Sequence, residues 1–295
     1  MIYTLTFNPA IDYVMYSDNL KLGKTNRSKK ESLFFGGKGI NVSRVLKELG
    51  TDSVALGFIA GFTGEELERF LNENKIKTDF VKLSKGLTRI NIKLKFNDET
   101  EINANGPVIS QMDIDLLFKK LDNLQKNDTL ILAGNVPSSL PENIYEQIMK
   151  RLNDKSIRIV VDATGNLLLN CLKYKPFLIK PNKAELEEII GNKLLSEEEI
   201  ISAAFSLKEK GACNVLVSLG SDGAILIDEF SKVHVSDAVK INAVNTVGAG
   251  DSMVAGFLAG TKESYDYALK LGCAAGSATA SLEDLADAKT IYALL

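Results

Sequence analysis

The chain has 295 residues, 45% hydrophobic and 25% charged, and its 35 basic and 38 acidic side chains nearly cancel to a net charge of −3. A single histidine, His234, excludes a His-rich zinc or di-iron centre, and Cys171, Cys213 and Cys273 lie too far apart for a CxxC metal or redox motif. The charge balance argues against a nucleic-acid partner, and no apolar run approaches the roughly 20 residues that would cross a membrane.

In chain order, a buried strand is expected over residues 3–7, and a polar, extended region over 12–35. An amphipathic helix follows over 41–49, with Gly50 as its C-cap, then a strand over 54–59 and a helix over 64–74. Residues 88–104 are again polar and extended. Within them Arg89 to Phe96 alternates polar and apolar side chains, which suits a sheet with one wet face. Strands are expected over 129–133, 157–161, 177–179 and 215–217, and helices over 140–152, 183–190 and 196–210, the last capped by Gly211. From Val247 onward the pattern is helical and rich in Gly and Ala, so those helices should pack closely.

Strand–helix alternation of this kind predicts an α/β fold with a mostly parallel central sheet and helices on both faces. The segments at about 12–35 and 88–104 read as strands of a small lid inserted into a single domain spanning 1–295. Free thiols and a start directly in a strand-like segment predict a cytoplasmic setting.

The sharpest motif is Val247-Gly248-Ala249-Gly250-Asp251-Ser252, followed by an apolar helix. Glycines ahead of a helix let backbone N–H groups converge on an anion, and the helix N-terminus adds positive partial charge. An aspartate there would repel a bound phosphate, but it makes sense as a base that takes a proton from an attacking hydroxyl. The alternative is that Asp251 only caps the helix.

Gly36-Gly37-Lys38-Gly39-Ile40-Asn41 also opens a helix, and Lys38 and Asn41 can hold phosphate or sugar oxygens. On its own this motif equally fits a glycine turn with a solvated lysine. Asn182 and Glu185 stand three apart at a helix start, where they could organise a hydrated Mg²⁺ or simply cap the helix on each other. Ser218, Gly220 and Gly223 punctuate a turn after a strand, either a nucleotide-binding turn or a plain hairpin.

Asp12, Arg27, Arg89 and Lys180 are further polar candidates, the two arginines because guanidinium grips phosphate through two hydrogen bonds. His234 and the cysteines read as structural. Two look-alikes fail. Leu22-Gly23-Lys24-Thr25 lacks the first glycine of a P-loop, and Gly248-Ala249-Gly250 lacks the third glycine of a dinucleotide fingerprint.

In their order along the chain these motifs resemble the ribokinase-like (PfkB) carbohydrate kinase family over essentially the whole length. Gly36-Gly37-Lys38-Gly39-x-Asn41 is similar to its N-terminal signature and Asn245 to Ser252 to its C-terminal one. Thr4 to Asp12, Asn26-Arg27, Thr88-Arg89-Ile90-Asn91 and Glu101-Ile102-Asn103 are most similar to the phosphosugar branch.

The resemblance implies a three-layer fold with a β-sheet lid, and a homodimer built through the lid strands. It implies ATP-dependent phosphorylation of the 6-hydroxyl of fructose 1-phosphate, with tagatose 6-phosphate and fructose 6-phosphate as alternative substrates. By the same resemblance Asp251 would be the base, and the amides at Ala249, Gly250 and Asp251, opened by Gly248, would form an anion hole. Asp12, Gly37, Lys38 and Asn41 would contact the sugar, with Arg27, Lys38 and Arg89 clamping the phosphate it already carries. Lys180, Asn182, Ser218, Gly220, Gly223, Gly248 and Gly250 would line the nucleotide site. Asn182 and Glu185 would hold Mg²⁺ through water. One departure is Ala133-Gly134-Asn135-Val136-Pro137, where relatives carry Ser and Leu or Ile before the proline, and it predicts altered substrate contacts.

Overall fold

In the computed structural model, residues 1–96 and 99–295 are described. Among the described residues, ten strands form the main sheet. From one edge the order is Val233–Ser236, Ala224–Ile227, Asn214–Ser218, Leu178–Ile179, Arg158–Asp162, Thr129–Ala133, Ile2–Thr6, Ser53–Ala60 and Lys77–Thr78, with Val81–Leu83 pairing the far end of Ser53–Ala60. All pairings are parallel except those of Ala224–Ile227 with its two neighbours.

The central strands are hydrophobic on both faces because both faces are covered. Leu130, Leu132, Ile159 and Val161 pack into the core formed with the helices Gln111–Leu121, Ile144–Leu152, Lys183–Ile190 and Glu197–Glu209. Ile131, Ala133 and Val160 point the other way, toward Lys38–Glu48, Ala249–Gly260 and Tyr265–Ala280. Alternation along a strand thus divides one apolar run between two cores. The helices Ala249–Gly260 and Tyr265–Ala280 do pack closely: a Cβ on Gly256 would lie 2.5 Å from the carbonyl oxygen of Leu271. Among the described residues no helix is long and apolar enough to cross a membrane.

Several boundaries differ from the sequence reading. The helix expected over 140–152 begins at Ile144, because Pro137 and Pro141 hold the preceding residues in turns. Those expected from 41 and 64 begin at Lys38 and Gly61, inside their glycine-bearing loops. The helix Gln111–Leu121 was not anticipated, although Ser110 and Asp113 form a capping box that marks its start. The antiparallel edge strands Ala224–Ile227 and Val233–Ser236 were also missed as a pair.

Within that edge His234 is structural. Its two ring nitrogens meet Asp228 at 2.9 Å and Asp266 at 2.7 Å, which ties the edge strand to the helix Tyr265–Ala280.

A second sheet has the order Lys30–Gly36, Ala10–Tyr16, Arg89–Lys95 and Glu99–Ile102. It draws on both segments expected to break the main rhythm, starting two residues earlier than the first, at Ala10. Alternation sends Asp12 and Asn91 to one face. The other face buries Ile11 and Phe35 against Leu67 and Leu71 of the helix Gly61–Glu73. Farther along, Leu33 and Ile102 remain 55% and 59% exposed.

Candidate active site

The site stands at the carboxyl ends of adjacent parallel strands, where an open α/β sheet leaves a crevice. Thr6, Ala133, Asp162 and Ser218 each end a strand, and Lys180 directly follows one. All five line a cavity of about 570 Å³. The small sheet adds Asp12, Arg89 and Asn91 to the same wall, and the two glycine motifs add Gly37, Lys38, Asn41, Gly248, Gly250 and Asp251.

The C-terminal motif builds its corner through backbone geometry. Gly248 caps the helix Ala249–Gly260 in the left-handed region, φ 81°, and a Cβ there would lie 2.7 Å from the Leu285 side chain. The left-handed φ is what favours glycine here, since the tip of the Leu285 side chain could swing away. The Ala249 amide turns back to the Thr246 carbonyl at 3.2 Å, so it departs from the expected three-amide anion hole. The amides of Gly250 and Asp251 have no acceptor among the described residues, as the open first turn of a helix provides.

Asp251 is not the N-cap. It lies inside the first turn, 6% exposed, and accepts a hydrogen bond from Asn41 Nδ2 at 2.8 Å. Burial, then the neighbouring Asp162 carboxylate, push its pKa up from the ordinary range to about 6, against the pull of Asn41, Lys38 and Lys180.

Asp162 is the residue that sequence reading missed. It is buried between two lysines: Lys38 Nζ and Lys180 Nζ each lie 3.3 Å from one of its oxygens. Burial alone would raise its pKa, but Lys180 and Lys38 outweigh burial and hold it below the ordinary carboxylate range. Burial likewise opposes charge on Lys38, yet Asp162 and Asp251 hold its pKa above the usual lysine value. A signal was available, since Asp162 directly follows the apolar strand expected over 157–161.

Arg89 is half-buried, and its Nε donates to the Asn8 carbonyl at 3.1 Å. Burial lowers its pKa, opposed by Asp12, and a guanidinium stays charged throughout. Arg27, expected beside it, is exposed on the 17–29 loop and does not line this cavity in its own chain. The proposed cluster of Arg27, Lys38 and Arg89 therefore shrinks to two.

Asn182 and Glu185 form a reciprocal cap, Asn182 Oδ1 accepting from the Glu185 amide and Glu185 Oε2 from the Asn182 amide, both at 2.8 Å. The capping alternative is thus realised. It leaves Glu185 Oε1 without a partner among the described residues, on the cavity wall. Among those residues no cluster of three or more His, Cys, Asp or Glu could hold a metal ion directly. The donor set fits Mg²⁺ held through its waters by one carboxylate, a usual arrangement for this reluctantly dehydrated ion.

Asn182, Ser218 and Gly250 also border a second, more apolar cleft of about 590 Å³. Gly220, Gly223, Val239, Ile241, Met253 and Cys273 line it. The 218–224 turn therefore joins two strands of a hairpin and walls a cleft at once.

The family model for the pfkB family carbohydrate kinases matches residues 5–290. The chain belongs to this family. Among its relatives, the pfkB kinase is 45% identical to the 1-phosphofructokinase of Bacillus subtilis, covering 100% of this chain and 97% of that protein. It is 40% identical to the D-tagatose-1-phosphate kinase of Bacillus licheniformis, covering 97% and 95% of the two chains. Among solved structures, phosphofructokinase-2 from Escherichia coli in complex with substrates and products superposes with a TM-score of 0.93 at 26% identity, covering 99% of this chain and 97% of that one. The three-layer α/β architecture of the pfkB kinase is the one its motifs implied.

Proposed function

We propose that this kinase transfers the γ-phosphoryl group of ATP to the 6-hydroxyl of fructose 1-phosphate, giving fructose 1,6-bisphosphate and ADP. The observation that carries this reading is Asp251: a buried carboxylate of raised pKa, beside two open helix amides, on the wall of a cavity that Lys38 and Arg89 share. Phosphoryl transfer needs positioning and charge neutralisation more than covalent chemistry.

Asp251 accepts the proton as the 6-oxygen attacks the γ-phosphorus in line, and the β–γ bridging oxygen leaves with ADP. The Gly250 and Asp251 amides receive charge developing on the transferring oxygens. Lys180 stands at the same corner, since a Cβ on Gly250 would lie 3.3 Å from its Nζ. Asn182 and Glu185 would hold Mg²⁺ through its waters, and the ion would there supply further neutralisation of the phosphate charge. The apolar cleft beside Ser218, Gly220 and Gly223 takes the nucleotide base. Asp12 and Asn41 orient sugar hydroxyls, and Arg89 with Lys38 holds the phosphate already on the sugar. The chain acts as one domain, 1–295, with the small sheet as its lid, in the reducing cytoplasm that its free thiols suit.

Both high-identity relatives are named for sugar 1-phosphates, which favours a 1-phosphate here. Tagatose 1-phosphate is accordingly the second reading. An ADP-release assay comparing fructose 1-phosphate, tagatose 1-phosphate, fructose 6-phosphate and tagatose 6-phosphate tests the assignment; a kcat/KM highest for either 6-phosphate refutes it. Arg89→Ala is expected to raise KM for the sugar phosphate about 10-fold or more, the loss of a charged hydrogen-bonding partner, with KM for ATP unchanged. A normal sugar KM places the clamp elsewhere.

A homodimer through the small sheets is part of the reading. Its outer face carries exposed Leu33 and Ile102, an apolar surface of the kind that marks an interface. Light scattering is expected to give a dimer, and Leu33→Lys a monomer. A monomeric parent protein refutes this arrangement.

A further inference from the structure

We propose that Asn91 is a positioning residue for Asp12 and thereby sets how tightly the sugar hydroxyls are held. Asp12 and Asn91 are register partners in the parallel pair Ala10–Tyr16 and Arg89–Lys95. Asn91 Nδ2 donates to Asp12 Oδ1 at 2.7 Å. The Asn91 residue is 6% exposed, on the cavity wall, and its Oδ1 is buried with no hydrogen-bond partner among the described residues.

A buried acceptor left unmatched costs free energy, so some stronger interaction must hold the amide this way round. The flipped amide would press its carbonyl oxygen against the Asp12 carboxylate, acceptor against acceptor. The charge-assisted bond to Asp12 therefore decides the orientation, at the expense of Oδ1.

The consequence falls on Asp12. Its Oδ1 is occupied, while Oδ2 has no partner among the described residues, and the residue borders the cavity. An ionised carboxylate only accepts, so the group it takes from the cavity must be a donor such as a hydroxyl, not a phosphate oxygen. Arg89, two residues from Asn91 on the same strand and also on the wall, offers the opposite preference. The strand thus sets a hydroxyl-reading unit beside an anion-reading one, a match to a phosphorylated polyol. This inference rests on the reading of Asp12 as a sugar contact.

The test measures fructose 1-phosphate binding by calorimetry, and KM for ATP, in Asn91→Ala, Asn91→Asp, Asp12→Ala and the Asn91→Ala/Asp12→Ala double variant. Asn91→Ala is expected to weaken sugar binding about 10-fold, the loss of one hydrogen bond to a charged group, and to leave KM for ATP unchanged. The double variant is expected to bind no worse than Asp12→Ala, since Asn91 acts through Asp12. Asn91→Asp sets two carboxylates face to face. Its deficit, relative to the parent at each pH, should shrink from about pH 7 to about pH 5 as the pair takes up a shared proton.

Normal binding by Asn91→Ala, or a loss additive with that of Asp12→Ala, overturns the proposal while leaving the Asp12 contact standing. Normal binding by Asp12→Ala overturns the Asp12 reading and this inference with it. Should Asn91→Ala fail to fold, a deficit of Asn91→Asp that does not change with pH overturns the proposal.

Discussion

Asp251→Ala is expected to lower kcat by at least about 10²-fold, the usual contribution of a positioned general base, while ATP affinity is kept. The carboxylate lies at the start of the helix Ala249–Gly260, held by Asn41 and buried on the cavity wall. The other acids on that wall are otherwise engaged: Asp162 is paired to two lysines, Glu185 is spent partly on its cap, and Asp12 accepts from Asn91.

The raised pKa of about 6 fixes the sign of the pH dependence. The base works only when ionised, so kcat/KM should fall as pH drops through about 6. Stability should run the other way. A carboxyl whose folded pKa exceeds its unfolded value stabilises most when protonated in both states, and that contribution is lost as pH rises through about 6. Asp251→Asn keeps the shape without the charge, so it should be inactive yet melt no lower than the parent at neutral pH. Unchanged turnover in a folded Asp251→Ala protein refutes the assignment.

Asp162→Asn is expected to destabilise the fold by about 3–5 kcal/mol, the cost of leaving a buried charge without its partner. Lys180 is nearly as buried as Asp162, so it cannot escape to water when the carboxylate is removed. The same variant should move the acid limb of the pH–rate profile below about 6. Asp162 repels charge on Asp251, whereas Lys38 and Lys180 favour it, and without Asp162 both lysines act on Asp251 unopposed. Urea unfolding and a kcat/KM profile together check this. An acid limb that stays in place or moves upward refutes the electrostatic account. In the parent protein the depressed Asp162 pKa adds stability above the ordinary carboxylate range that is lost as pH falls through its lowered value.

Much of the architecture was legible because alternation and helix punctuation are local. Strands buried on both faces appear as continuous apolar runs, and 129–133 matches the strand Thr129–Ala133 to the residue. The helix over Lys183–Ile190 was equally plain, with Asn182 and Gly191 at its ends. Boundaries slipped where loop chemistry intervened, at the prolines before Ile144 and at the glycines before Lys38 and Gly61.

Within the site, Asp251, Asn41, Lys38, Asp12 and Arg89 were found from motif residues and line one cavity. Arg27 lies outside this cavity in its own chain, because membership of a lid-like segment does not say where a loop tip points. Asp162 was passed over because a lone acid after a strand has no motif around it.

Sequence pattern alone determined the layered α/β fold and the glycine-opened helix that carries Asp251, which depend on residues near one another along the chain, and the family, which depends on the order of such local motifs. Which charges meet was decided only by the tertiary structure. Lys38 opens a helix while Asp162 and Lys180 stand at two strand ends, and Asn41 reaches Asp251 across 210 residues. Electrostatic coupling depends on distance through space and on burial, and neither is written in spacing along the chain.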